Sequence, residues 1–350
     1  MRIEDEIKLT FDDVLIRPKR STLVSRSEVV LERQFKFKHT NEIWTGVPIF
    51  SANMDTTGTF ETAITLQKHK MLTAIHKFYS IKDWEKNVEK LDPNFISVTV
   101  GQSKEDLQLG QKIFSLNSDI KYLCIDVANG YREDFINSVK NYRETFPDKI
   151  IIAGNVATRE MTEALILAGA DIVKIGIGPG SVCTTRSVAG VGYPQLSSIS
   201  ECSDAAHGLG GHVMADGGCK YPGDVSKAFG AGADYVMLGG MFAGHKESGG
   251  ELVTDEEGVQ YKDFYGMSST KAQQTYYGDL AEHRAPEGKK VRLRYKGELD
   301  KTVQSILGGM RSACSYVGAK KLKDLPKSTT FIRVTPVSYT HLRAHETKAN

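Results

Sequence analysis

The chain has 350 residues, of which 40% are apolar and 25% charged, with a formal net charge of +2. This is the composition of a globular protein of two average domains or one large barrel, and its near-neutral charge suggests neither a nucleic-acid coat nor an acidic partner. No apolar run approaches the about 20 residues of a membrane span, the start Met1-Arg-Ile-Glu-Asp-Glu-Ile7 lacks the apolar core of a signal peptide, and five scattered cysteines without a CxxC pair indicate neither zinc nor disulfides, so a reducing cytoplasm is the expected setting.

The first forty residues are mixed and turn-rich, and are expected to pack across one end of a core. Short apolar runs then alternate with helical patterns. Val47–Ala52 precedes a helix over 59–70, Leu72–Ile75 one over 81–91, Phe95–Val100 one over 104–116, and Tyr122–Val127 one over 134–145. Lys149–Ala153 precedes a helix over 159–168, Asp171–Ile175 a long loop and a helix over 195–209, His212–Ala215 a helix over 223–229, and Asp234–Leu238 closes the series. Continuous apolarity suits strands buried on both faces. Eight βα repeats predict a (β/α)8 barrel, with a doubly wound open sheet as the alternative. The phrases Ala168-Gly-Ala-Asp171 and Ala231-Gly-Ala-Asp234 read as αβ turns at a helix-ending glycine.

Residues 241–300 break the alternation. A glycine-rich stretch runs to Tyr265-Gly-Met-Ser-Ser269 with a hairpin expected over 251–264, and a basic, polar stretch follows over 276–295. The whole, about 243–298, reads as a lid over the rim. A helix returns over 299–309, followed by Arg311 to Gly318. Residues 1–335 are expected to form one barrel domain, with 336–350 a flexible tail or foreign to the fold.

In a barrel, chemistry belongs at the C-terminal ends of the strands. Gly178-Pro-Gly180-Ser181, Asp216-Gly217-Gly218 and Gly239-Gly240 stand at three adjacent ends, and glycine turns free backbone amides to cradle a phosphate. No Walker pattern occurs. Cys183 lies just beyond this cradle. It is either a small buried residue or a nucleophile able to add to an electron-poor purine carbon. Thr185 and Glu287 are candidate proton carriers, a carboxylate completing what a hydroxyl cannot do alone; read alone, Glu287 is sooner a surface carboxylate. Asp216 suits either a ribose diol or a helix N-cap.

Gly176-Ile-Gly-Pro-Gly-Ser-Val-Cys183-Thr-Thr-Arg186, Asp216-Gly-Gly218, Met237-Leu-Gly-Gly-Met241, Tyr265-Gly-Met-Ser-Ser269 and Glu287-Gly-Lys289 resemble the IMP dehydrogenase/GMP reductase family from about Leu9 to Val334. Within it the chain resembles the reductases. It has no CBS insert after the second helix, its Cys183-Thr184-Thr185-Arg186 and Phe331-Ile-Arg-Val334 segments are of reductase type, and its short lid carries Glu287-Gly288-Lys289 in place of the arginine–tyrosine pair with which the dehydrogenases activate water. Pro286 departs from the small residue usual at that position.

The resemblance implies reduction of GMP by NADPH to IMP and ammonia, a step of purine interconversion and salvage. Cys183 would form a thioimidate at C2, with Thr185 and Glu287 as proton carriers. GMP would contact Ser181, Asp216, Gly217, Gly218, Gly239, Gly240, Met267, Ser268, Arg284, Gly288 and Lys289. NADPH would lie along Lys77, Asp126, Val127, Ala128 and Gly178, with Ser25, Arg26, Ser312 and Ser315 reaching in from a neighbouring subunit of a homotetramer. Read alone, Lys77 and Arg26 are ordinary surface charges. The resemblance also implies K+ at the carbonyls of Gly178, Gly180 and Cys183, near Arg186. The alternatives are NAD-dependent oxidation of IMP and a non-catalytic nucleotide-binding barrel.

Overall fold

The computed structural model describes residues 1–276, 278 and 285–335. Eight parallel strands close into a barrel: β1 (Ile49–Ser51), β2 (Leu72–Ile75), β3 (Ile96–Val100), β4 (Tyr122–Asp126), β5 (Ile150–Val156), β6 (Ile172–Ile175), β7 (His212–Asp216) and β8 (Tyr235–Leu238). β8 pairs with β1, Val236 opposite Ile49, which closes the ring. The open-sheet alternative is thereby excluded. β2 and β3 are buried at every position, which is why their apolarity is continuous.

Seven helices alternate with the strands: α1 (Phe60–Leu66), α2 (Ile81–Asn87), α3 (Lys104–Leu116), α4 (Glu133–Thr145), α5 (Arg159–Leu167), α6 (Gln195–Gly208) and α7 (Pro222–Gly230). Local signals start several of them. Thr59 caps α1 by accepting from the Thr62 amide, and Ser80 with Asp83 and Ser103 with Asp106 form capping boxes on α2 and α3. The two Ala-Gly-Ala-Asp turns end α5 and α7, with Gly169 at φ 119° and Gly232 at φ 110°, a region open mainly to glycine. Their aspartates do more than turn the chain. Asp171 accepts from the Ile151 amide at 3.0 Å, and Asp234 from the Val213 amide at 3.1 Å, so each ties its strand to the one before.

The helix after the rim excursion, α8 (Leu299–Val317), is longer than expected and runs straight through Gly308-Gly309. A Cβ at Gly309 would stand 2.7 Å from Pro222 Cβ. That glycine serves the packing of α8 on α7 and does not end the helix. The end comes at Gly318, at φ 74°.

The N-terminal region covers both ends. Val14–Ile16 pairs antiparallel with Phe331–Arg333, and Phe11 lies against the glycine turn after β7. A hairpin of Arg33–Lys36 and Ile43–Gly46 caps the opposite end. It inserts Phe35, Phe37 and Trp44 among Phe50, Tyr122 and Tyr235. Phe35 stacks on Tyr235 with centroids 4.5 Å apart, and Trp44 Nε1 donates to the Asn94 carbonyl at 2.8 Å. All three polar handles of this aromatic plug therefore have partners, since Tyr122 and Tyr235 share a hydroxyl contact of 3.3 Å. No helix among the described residues is long and apolar enough to cross a membrane.

Over the open end lies a three-stranded antiparallel flap: β9 (Leu252–Thr254), β10 (Gln260–Tyr265) and β11 (Lys290–Arg294). The hairpin expected over 251–264 is β9–β10. The third strand lies in sequence read as polar excursion. Lys290-Val-Arg-Leu-Arg294 alternates exposed and half-buried positions, so its apolar content is confined to one face.

Candidate functional site

The C-terminal strand ends and the flap enclose an open cleft. Its wall includes Asn53 after β1, Asp126, Val127 and Ala128 at the end of β4, Asn155 on β5, Gly176, Ile177, Gly178, Gly180, Val182 and Cys183 after β6 and Asp216 at the end of β7. The flap side adds Gly266, Met267, Ser268 and Glu287.

The cysteine loop is tightly wound. The Cys183 amide donates to the Gly180 carbonyl at 3.1 Å, so the thiol follows directly on a turn. Three main-chain hydrogen bonds stitch the flap around it: Thr184 N–H to the Glu287 carbonyl, Lys289 N–H to the Val182 carbonyl and Glu287 N–H to the Ser268 carbonyl. Gly288 faces Cys183 and Ser269 at the centre of this seam. A Cβ on Gly288 would lie 2.9 Å from the Ser269 nitrogen and 3.2 Å from Gly266 Cα, so two glycines set the spacing.

The seam brings a carboxylate to the thiol. Thr185 Oγ1 donates to Glu287 Oε2 at 2.7 Å and stands 3.3 Å from Cys183 Sγ. Because the one hydroxyl proton is directed at Glu287, the Thr185 oxygen accepts from the Cys183 thiol. Thiol, hydroxyl and carboxylate thus form a directed chain. Among the remaining cysteines, burial pushes the Cys202 and Cys314 thiols up to about 11 and Cys124 up to about 12, and raises Cys219 well above its usual value. Cys124, Cys202 and Cys314 are buried and Cys219 half-buried, and all four thiols are held protonated.

The three glycine turns converge. A Cβ on Gly217, at φ 88°, would meet the Gly180 nitrogen at 3.1 Å. One on Gly240 would meet Ser181 Oγ at 3.1 Å, and one on Gly239 would meet Met54 Sδ at 3.4 Å. Gly218, at φ 89°, rests on Phe11. The result is a shallow surface of backbone and one serine hydroxyl beside Asp216, suited to an anion.

Sequence reasoning missed the group at the floor of the cleft. Lys174 on β6 is 3% exposed, and its ammonium contacts Asp126 Oδ1 at 2.5 Å and Asp216 Oδ2 at 2.9 Å. Asn155 Nδ2 donates to the same Asp216 oxygen at 2.9 Å. Burial alone would push the Lys174 ammonium down; the carboxylates of Asp126 and Asp216 outweigh it and hold it above the ordinary lysine range. Burial likewise opposes the charge on Asp126, and Lys174 overrides it, holding that carboxyl below its usual range. Asp216 is accordingly half of an ion pair at a strand end and not a helix N-cap.

The remaining expected residues are dispersed. Lys77 follows β2 with its ammonium 5.8 Å from the Phe78 ring, close enough to help hold Asp126 ionised. Lys289 is exposed at the end of the seam. Arg186 packs its stem against Gly178 and donates to the Tyr193 carbonyl at 2.6 Å. Ser25 and Arg26 sit in an exposed turn, and Ser312 and Ser315 on α8; none of these four lines the cleft. Arg284 and residues 336–350 lie outside the described residues.

A model of the IMP dehydrogenase / GMP reductase domain matches residues 8–345. The chain belongs to the IMP dehydrogenase/GMP reductase family. Among curated members of that family, it is 58% identical over 338 residues to the GMP reductase of Buchnera aphidicola subsp. Acyrthosiphon pisum (strain Tuc7), covering 96% of this chain and 97% of that one. It is 58% identical over 337 residues to the GMP reductase of Escherichia coli O81 (strain ED1a), covering 95% and 97%. For the GMP reductase of Aeromonas hydrophila the identity is 57% over 337 residues. The family's barrel is the one observed, closed by the pairing of β8 with β1.

Proposed function

We propose that the chain is a GMP reductase that converts GMP, NADPH and a proton to IMP, ammonia and NADP+. The observation that carries this reading is the chain of contacts from Cys183 through Thr185 to Glu287. An aromatic 2-amino group leaves poorly; addition of a nucleophile at C2 and protonation of the amine turn it into a leaving group.

In this reading the Cys183 sulfur attacks C2 of the guanine ring, its proton passing toward Thr185 and Glu287. The same pair returns a proton to the 2-amino group, the C2–N bond of the tetrahedral adduct breaks, and ammonia departs, leaving a thioimidate. NADPH, when bound, supplies the hydride that adds to C2. The C2–S bond then breaks, regenerating Cys183 and releasing IMP. Ser181 and the turns at Gly217, Gly218, Gly239 and Gly240 hold the phosphate, Asp216 takes the ribose diol, and Met267, Ser268, Arg284, Gly288 and Lys289 border the nucleotide. Lys77, Asp126, Val127, Ala128 and Gly178 border the cofactor, with Ser25, Arg26, Ser312 and Ser315 supplied by a neighbouring copy in a homotetramer. The carbonyls of Gly178, Gly180 and Cys183 are neutral, hard oxygen donors on one wound loop beside Arg186, a donor set that suits K+; its part would be to hold the loop's shape.

The test is direct. With GMP and NADPH the nicotinamide absorbance falls, and Cys183→Ala abolishes this while GMP binding stays within about tenfold. Reduction of NAD+ with IMP, and no oxidation of NADPH with GMP, overturns the reading. Binding of GMP without any consumption of cofactor by the wild type points instead to a nucleotide sensor.

A further inference from the structure

The barrel interior carries no charge at its lower level, where Cys124, Ile152, Ile172, Met214 and Met237 meet. Lys174 breaks that rule one level higher. Its path is built in, since a Cβ on Gly154 of neighbouring β5 would stand 2.7 Å from Lys174 Cβ. Only a glycine lets the two strands approach at this point. The two carboxylates the lysine reaches belong to opposite sides of the cleft, Asp126 ending β4 and Asp216 ending β7.

A buried ion pair is not retained for stability alone, because well-packed apolar residues of similar volume often serve as well. Two carboxylates facing each other in a poorly hydrated floor would not both stay ionised without a cation between them. The described hydrogen bonds to the Asp216 side chain both take Oδ2, from Lys174 and Asn155, which leaves Oδ1 for a ligand hydroxyl.

We propose that Lys174 is a positioning residue: one buried ammonium, shared between Asp126 and Asp216, orients both carboxylates and couples the nucleotide half of the cleft to the cofactor half. The assignment of the two halves rests on the function proposed above. A change at either carboxylate is felt by the other through the shared charge, with no direct contact between the ligands required.

Three variants test this: Lys174→Met, Lys174→Arg and Asp126→Asn. GMP binding to each is titrated without cofactor from about pH 5 to about pH 9, and kcat/KM is measured over the same range. In Lys174→Met one carboxylate takes up a proton, so the acid limb of both profiles moves up by about one pH unit or more and GMP binds at least about tenfold more weakly near neutrality. Lys174→Arg restores the charge and stays within about threefold of wild type. Asp126→Asn, on the cofactor side, weakens GMP binding several-fold although no cofactor is present. Should Lys174→Met fail to fold, the cross-effect of Asp126→Asn decides. Unshifted pH profiles in Lys174→Met, or unchanged GMP affinity in Asp126→Asn, overturn the proposal whatever happens to the melting temperature. If the wild type binds GMP but oxidises no NADPH, the proposed reaction fails while the binding titrations still judge Lys174.

Discussion

Thr185 Oγ1 lies 2.7 Å from Glu287 Oε2 and 3.3 Å from Cys183 Sγ, so one hydroxyl joins a barrel loop to a flap residue 102 positions later. A relay of this kind acts as a unit. Glu287→Gln keeps the size of the side chain and removes its basicity. It is expected to lower turnover by about 100-fold or more while GMP affinity stays near wild type. Thr185→Val should cost a similar factor, and the double variant little more than either alone. Full additivity in steady-state kinetics would show that the two do not act together.

Gly288 is held between Gly266 and Ser269 with no room for a methyl group. Gly288→Ala must push residue 288 away from Gly266 and Ser269, and carry Glu287 with it. Turnover should fall at least about tenfold, since misplacing a catalytic group by about 1 Å costs up to about 100-fold. The barrel itself should keep its melting temperature within a few degrees. Calorimetry alongside the assay separates the two effects; loss of the fold would show that the seam supports the whole barrel.

Trp44 fills the lower end of the barrel, is 2% exposed and donates its indole N–H to Asn94. Trp44→Ala should destabilise by about 3–5 kcal/mol, the range for deleting a large buried ring, with the main-chain acceptor left unpaired in addition. Urea unfolding measures this. A cost below about 1 kcal/mol would mean that the plug is replaceable by water or by its neighbours.

At the same end, Asp234 Oδ2 accepts from His207 Nε2 at 2.7 Å, with His212 Nδ1 at 3.5 Å and Arg33 on the other oxygen at 3.1 Å. Its hydrogen bond and charge raise His207 above the ordinary histidine range despite partial burial. His212 is raised as well, because Asp234 and the Lys36 carbonyl outweigh its burial. Asp234, although buried, is held far below the usual carboxylate range by these partners. A histidine raised on folding contributes stability that is complete below its unfolded pKa of about 6.5 and fades as pH rises through the folded value. The gap in melting temperature between wild type and His207→Gln should therefore be widest near about pH 6 and close toward about pH 9. A gap that stays constant over that range would assign His207 a packing role alone.

The barrel was legible because its strands are buried on both faces and so read as unbroken apolar runs such as Phe95–Val100. The glycine turns were legible as a group because three stand at adjacent strand ends. Lys174 was not. In Asp-Ile-Val-Lys-Ile it is one cation at the end of a short strand, and its partners are supplied by β4 and β7. The flap strand Lys290–Arg294 was hidden because three of its five residues are cationic and exposed. Gly309 looked like a helix end because helix packing against Pro222, the reason for glycine at that position, lies outside local sequence. What escaped reading in each case is a contact made across the fold.

Two main-chain hydrogen bonds and the Thr185–Glu287 contact join flap and cysteine loop, whereas the barrel is held by eight paired strands and an aromatic plug. The weaker assembly opens first. Warming or mild denaturant should therefore separate Glu287 from Cys183 while the barrel is still native, and amide exchange at Thr184, Glu287 and Lys289 should rise before that of the strands. Activity and fold then have separate thermal limits, the lower one set by a clasp a few residues long.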